Sequence, residues 1–214
     1  MKKLRTAYHF TQYMDDEFAW RLKEIADIKL AIRGTEESSR RALLRAGVPI
    51  LYAHWEGFIK ASSEALLHFV NNQNLRLRDL KPCFIVFGAK KHINDLVESG
   101  SPRDRIGAVE FFLNQLDAPA SLAVSGSIWT EFNLSSKVFE RIASSLGVDT
   151  GRYATKYVLI DSSLLARRNN IAHGAFFDLG EDDFFKLSDE VIGLLRSYKN
   201  DLENLVTTGL YKSL

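Results

Sequence analysis

The sequence predicts an all-α protein: an antiparallel helical bundle with a smaller helical insertion in the middle of the chain. Three observations carry that expectation. Apolar residues recur at steps of three and four over long stretches, strand-like alternation is absent, and only four prolines interrupt 214 residues. A chain of this length with 46% hydrophobic and 26% charged residues can bury a sizeable core. We therefore expect one domain over residues 1–214, with about 75–150 as the insertion.

A first helix is expected from Asp15 and Asp16, whose carboxylates can cap free N–H groups, to Arg33, before Gly34. Its core face carries Phe18, Leu22, Ile25 and Ile28 or Lys29. A second helical pattern runs from Thr35 to Arg45, with Gly47 as its stop. Pro49 fits either the first turn of a new helix or a kink in a continuous one, and the kink is favoured. Residues 49–72 are apolar nearly all round, with Leu51, Trp55, Phe58, Ala65 and Phe69 in one stripe and Ile50, Tyr52, Ile59, Leu66 and Leu67 elsewhere. Such a helix belongs at the centre of the protein.

Shorter helices follow, separated by turns at Gly100-Ser101-Pro102, Ala118-Pro119 and Ser125-Gly126-Ser127. Ser101 before Pro102 and Ser135-Ser136 before Val138 mark helix starts, and Gly147 a helix end. Two final helices are expected over about 153–173 and 181–207, with Gly174 to Gly180 between them.

Composition narrows the function. A net charge of +1 excludes a molecule that binds polyanions with its whole surface, so a nucleic-acid site must be local. Cys83 is alone, which removes any intramolecular disulfide and any cysteine-based zinc site. His9, His54, His68 and His92 are scattered without ligand spacing, so we expect no metal and no cofactor. The basic stretch Met1 to Thr6 lacks a following apolar signal core, and no run suits a membrane span; a cytoplasmic setting is expected.

One position breaks the pattern. Tyr157, Ile160, Leu164 and Ile171 form an apolar stripe on the penultimate helix, and Arg168 falls within it. A guanidinium there needs an acidic partner or an anionic ligand, because it cannot shed its proton. Glu56, in the otherwise apolar central helix, has the complementary need and is the expected partner; a part in catalysis is its alternative role. His173 closes the same helix beside Gly174, where the helix dipole favours an imidazolium, and Asn169 shares its face. Such a histidine beside an anion-holding arginine suits phosphodiester chemistry without a metal. The same spacing also fits a structural ion pair next to a polar helix end.

Arg168-Asn169-Asn170-Ile171-Ala172-His173, with Gly174 trailing, resembles the signature of HEPN ribonucleases: Arg, a polar residue, three variable positions, then His. Tyr52-Ala53-His54-Trp55-Glu56-Gly57-Phe58-Ile59-Lys60 resembles the central helix of stand-alone bacterial HEPN proteins near the RiboL-PSP-associated branch. Phe132-Asn133-Leu134-Ser135-Ser136, with the short helix ending Leu146-Gly147-Val148-Asp149, is similar to the same branch. The likeness covers about 15–205.

The resemblance implies a HEPN-type bundle that homodimerises so that two Arg/His motifs form a composite site for cleaving RNA. Arg168, His173 and Asn169 would be its catalytic residues, with Arg167 and Asn170 contacting substrate. It further implies a toxin or phage-defence role with a neighbouring antitoxin or regulatory protein. The alternative is a non-catalytic HEPN module that binds RNA, a nucleotide or a protein. HEPN toxins silenced by adenylylation commonly carry a tyrosine two residues after the histidine; Ala175 stands there, so that control is not expected.

Further RNA contacts are conceivable at Arg40-Arg41-Arg45, Arg76-Arg78, Lys90-Lys91 and Arg103-Arg105, although charge pairs on helices are usually a solvated face. Phe176, Phe177, Phe184 and Phe185 suit helix packing better than base stacking.

Overall fold

Apolar periodicity becomes eight α-helices in the computed structural model, which describes residues 4–176 and 178–213. Phe177 and the basic Met1 to Lys3 lie outside the described residues. No strand forms among the described residues; two isolated bridges, Arg76 with Pro119 and Leu80 with Lys212, are the closest approach to one. Among the described residues no helix is long and apolar enough to cross a membrane.

Helix α1 spans Ala7–Gly34 and begins well before the expected Asp15. The Thr6 hydroxyl caps it by accepting the His9 N–H at 3.2 Å, and Phe10 and Met14, one turn apart, are fully buried. Asp15 is instead engaged with Lys199 at 2.8 Å. Phe18 and Leu22 are half-buried, and Arg21 is buried beside Ile25.

Helix α2 is one continuous element, Glu37–Asn71, running through both Gly47 and Pro49. Gly47 is no stop. A Cβ there would lie 2.6 Å from the Phe184 ring, so the glycine admits the last helix against the central one. From Leu51 onward α2 is buried on nearly every side, as its composition requires.

The middle of the chain supplies α3 (Pro82–Gly88), α4 (Lys90–Val97), α5 (Pro102–Asn114) and α6 (Ser136–Ser145). The Ser135 hydroxyl caps α6 by accepting the Val138 N–H, and Gly147 follows with φ +77°. Asn71 at the end of α2 brackets Leu122, donating to its carbonyl at 3.0 Å and accepting its N–H at 2.6 Å. Leu77, Phe84, Phe111, Leu122 and Leu134 are buried in the same apolar core as α1 and α2.

The penultimate helix is composite. A 3-10 turn over Gly151–Lys156 leads to a π-helical stretch, Leu159–Leu165, and then to α7, Ala166–Ala172. The last helix, α8, spans Glu181–Thr207. Phe184 against Gly47, and Tyr198 bonded to Ser63 at 2.8 Å, show α2 and α8 running in the same direction. Lys29 with Asp189 and Asp15 with Lys199 show α1 running against α8. Lys156 with Glu190 and Arg152 with the Ser197 carbonyl place the composite helix antiparallel to α8 as well. The result is an all-α bundle in which α1 and the composite helix run antiparallel to α2 and α8, with α2 at its centre.

Candidate functional site

The site residues sit where the composite helix crosses α2. Asp161, within the π-helical stretch, accepts from the Ser136 backbone at 2.7 Å and from the Ser136 hydroxyl at 2.5 Å, anchoring the N-terminus of α6. Ile160 and Leu164 face the core, and one turn later Arg168 reaches α2 half-buried.

Arg168 is satisfied by groups that carry no net charge. Its Nη1 donates to Asn169 Oδ1 and its Nη2 to the Phe132 carbonyl, both at 2.8 Å. The guanidinium carbon stacks 4.0 Å from the centroid of the Tyr52 ring. Glu56, the expected ion-pair partner, does not pair with it; among the described residues no carboxylate lies within ion-pair reach of Arg168. Glu56 instead accepts a short hydrogen bond from the Thr130 hydroxyl. Complementary need does not fix partnership: an aromatic face, an amide and a carbonyl hold the cation, and a hydroxyl holds the carboxylate.

Tyr52 links these parts. Its hydroxyl accepts the Leu134 N–H at 2.6 Å, and Trp55 Nε1 donates to the Leu134 carbonyl at 3.3 Å. Two aromatic residues of α2 thus clamp one residue of the 129–135 loop, two positions from the Phe132 carbonyl that accepts from Arg168. Burial raises the Tyr52 phenol above its usual range, the Leu134 N–H opposes this, Glu56 adds to the rise and Arg168 lowers it.

His173 ends α7. Gly174 takes φ +78° and donates to the Ile171 carbonyl at 3.1 Å, while Ala175 donates to Asn170 at 2.9 Å, the paired bonds of a Schellman cap. The His173 N–H bonds the Asn169 carbonyl at 2.9 Å, and its ring is exposed with no hydrogen bond or ion pair among the described residues. Asn169 therefore steadies the Arg168 side chain and the backbone of His173. Asn170 is exposed.

Arg167 parts company with Arg168. It is half-buried and lines a shallow cleft of about 280 Å³ with Asp183, Lys186 and Glu190 of α8. Of the other basic groups, Arg40 pairs with Glu37 and Glu181, and Arg76 and Arg78 share Asp117, so these charges are largely compensated. Phe184 is core, Phe185 is half-buried beneath Arg33, and Phe176 is exposed. No group of three or more histidine, cysteine or carboxylate side chains suited to a metal occurs among the described residues.

Spacing did not single out the loop carrying Trp129 and Phe132. Both side chains are exposed, and they line an open cleft of about 660 Å³ together with Ala53, Glu56, Gly57 and Lys60 of α2. The available signal was two large aromatics on either side of a short polar turn.

The family described as RiboL-PSP-HEPN has a model that matches residues 16–204 of this chain. No curated protein and no solved structure matches it.

Proposed function

The chain belongs to the RiboL-PSP-HEPN family, and from that premise we propose that it is a metal-independent endoribonuclease working through Arg168 and His173. HEPN domains include ribonucleases and nucleotide-binding modules, so membership supports this general class. The observation that carries the finer reading is the state of Arg168: half-buried, rigidly held, and bonded to neutral groups, so that its charge stays available to a phosphate.

In the proposed reaction the RNA 2′-oxygen attacks the adjacent phosphorus as its proton passes to an imidazole. The bond from phosphorus to the 5′-oxygen breaks, and that oxygen leaves with a proton. Arg168 stabilises the charge developing on the non-bridging oxygens. The products are a 2′,3′-cyclic phosphate and a 5′-hydroxyl. One exposed His173 per chain supplies one proton carrier, and a homodimer that brings two α7 ends together supplies a pair. We extend the proposal to a toxin or defence role in the cytoplasm, held in check by a regulatory protein.

The test compares wild type, Arg168→Ala and His173→Ala for RNA cleavage in EDTA, with the ends of the products identified and a DNA oligonucleotide as control. Cleavage by wild type alone, with cyclic phosphate ends, supports the proposal. Equal behaviour of all three proteins removes it. A second reading, a non-catalytic RNA- or nucleotide-binding module, is favoured by one observation: no side chain orients the His173 ring within the described residues. RNA binding without products selects that reading.

A further inference from the structure

The segment Trp129–Leu134 is tied down at nearly every residue. Arg141 Nη2 contacts the Trp129 carbonyl at 3.4 Å, Thr130 bonds Glu56, Glu131 pairs with Arg141 at 2.7 Å, the Phe132 carbonyl accepts from Arg168, and Leu134 is clamped by Tyr52 and Trp55. Two consecutive non-glycine residues, Glu131 at φ +57° and Phe132 at φ +59°, occupy the left-handed region. A bulky side chain there is strained and persists only because its surroundings impose it.

That backbone holds two large aromatic side chains out of the core. Trp129 is 61% exposed and Phe132 79% exposed, in a protein that buries most of its aromatics. Between them and α2 lies the cleft of about 660 Å³. Its α2 wall carries Glu56 and Lys60, one helical turn apart on the same face. Thr130 donates to one oxygen of Glu56, which keeps room for a second donor, no hydrogen bond among the described residues reaches the other oxygen, and Lys60 has no ion pair there.

We propose that this cleft is a nucleobase subsite that prefers guanine, placed beside Arg168 so that the base attached to the bound phosphate is read there. The inference deepens the ribonuclease reading and rests on it for the choice of RNA as ligand. Trp129 and Phe132 supply stacking faces for a planar heterocycle. A carboxylate accepts two adjacent N–H donors, which guanine presents at N1 and N2, and an ammonium suits the neighbouring O6. Uracil presents one N–H flanked by two carbonyls, which a carboxylate repels. The Phe132 carbonyl bonded to Arg168 joins the base-binding loop to the phosphate-binding cation through one hydrogen bond.

The test titrates GMP and UMP, which share a phosphate and differ in the base, while following Trp129 fluorescence in a Trp20→Phe background; Trp55 is fully buried. Saturable quenching by GMP, with UMP at least about tenfold weaker, is expected from a paired carboxylate contact. Glu56→Gln should bring the two nucleotides to within about twofold, and Lys60→Ala, at an exposed position, should weaken GMP more than UMP. Phe132→Gly removes the ring and relieves the strained backbone, so it should fold well yet bind both nucleotides more weakly. Equal binding of GMP and UMP, no binding, or a preference that survives Glu56→Gln overturns the proposal. So does a change of oligomeric state in Trp129→Ala without loss of nucleotide affinity, which would make this face a contact between copies. RNA cleavage without guanine-selective quenching leaves the ribonuclease reading standing and this one fallen; selective quenching without cleavage does the reverse.

Discussion

The Arg168 guanidinium rests on the Tyr52 ring, 4.0 Å from the centroid, while the Tyr52 hydroxyl accepts the Leu134 N–H at 2.6 Å. One tyrosine therefore carries the cation on its ring face and fixes the loop whose carbonyl accepts from it. The two roles separate by mutation. Tyr52→Phe keeps the ring beneath Arg168 but leaves a buried backbone N–H without an acceptor, which costs about 1–3 kcal/mol. The urea midpoint should fall accordingly, and Tyr52→Ala should fall further.

Arg168→Lys keeps the charge and loses the two-pronged grip on Asn169 and Phe132. Under the proposed mechanism it should cleave RNA about 10²–10³-fold more slowly, as when a charge-stabilising donor is lost. His173→Ala should lose about 10²–10⁴-fold, as for a missing proton carrier. Single-turnover cleavage measures both, and unchanged thermal midpoints would separate chemistry from folding.

Gly174→Ala isolates the helix end. A Cβ at this position meets nothing within 4 Å, so its cost is conformational, arising from φ +78°. We expect a loss of about 1–2 kcal/mol, with Gly174→Asn losing less. Urea denaturation of the two variants checks the order.

Gly47→Ala is the opposite case, a glycine at an ordinary helical conformation with a ring in the way. The added methyl would stand 2.6 Å from Phe184, and the shift of α8 needed to admit it should cost about 1–3 kcal/mol. Phe184→Leu in the same chain should recover part of that loss, which a double-mutant cycle would measure.

His54 gives the protein an acid sensitivity. It is buried, with Nε2 3.0 Å from Glu24, and burial lowers its pKa; Glu24 opposes that shift and Arg21 adds to it. The unfolded chain therefore binds the proton first as the pH falls. Above about pH 6.5 nothing is lost; below it stability declines until the depressed native value is passed, at no more than about 1.4 kcal/mol per pH unit. Unfolding free energies between pH 7 and pH 5 should fall less steeply in His54→Gln than in wild type.

The sequence displayed the bundle in its periodicities, because burial dictates them residue by residue. Helix α2 was legible as central from its apolar circumference, and the Schellman cap at Gly174 from one glycine after a polar helix end. What escaped depends on contacts distant in sequence. Gly47 reads as a stop until Phe184 is seen against it, and Asp15 reads as a cap until Lys199 is seen beside it. The Arg168 and Glu56 pairing was the simplest solution for two charges in apolar stripes, but the loop from Trp129 to Leu134 supplied each with another partner. Phe10 and Met14 stand one turn apart and are fully buried, but the polar residues around them hid the pattern.

The wide turns at Leu159–Leu165 set a phase. The Ala166 N–H reaches back five residues to the Asp161 carbonyl, so the helix carries more residues there than an α-helix would. Removing one residue as that stretch rewound would hold the phase, whereas were it to wind as an α-helix with all of its residues kept, everything beyond would swing about 100° around the axis. Arg168 and His173 would keep their mutual spacing while turning away from Tyr52. A sequence that lost the wide turns without losing a residue would still spell the motif, and its arginine would point elsewhere.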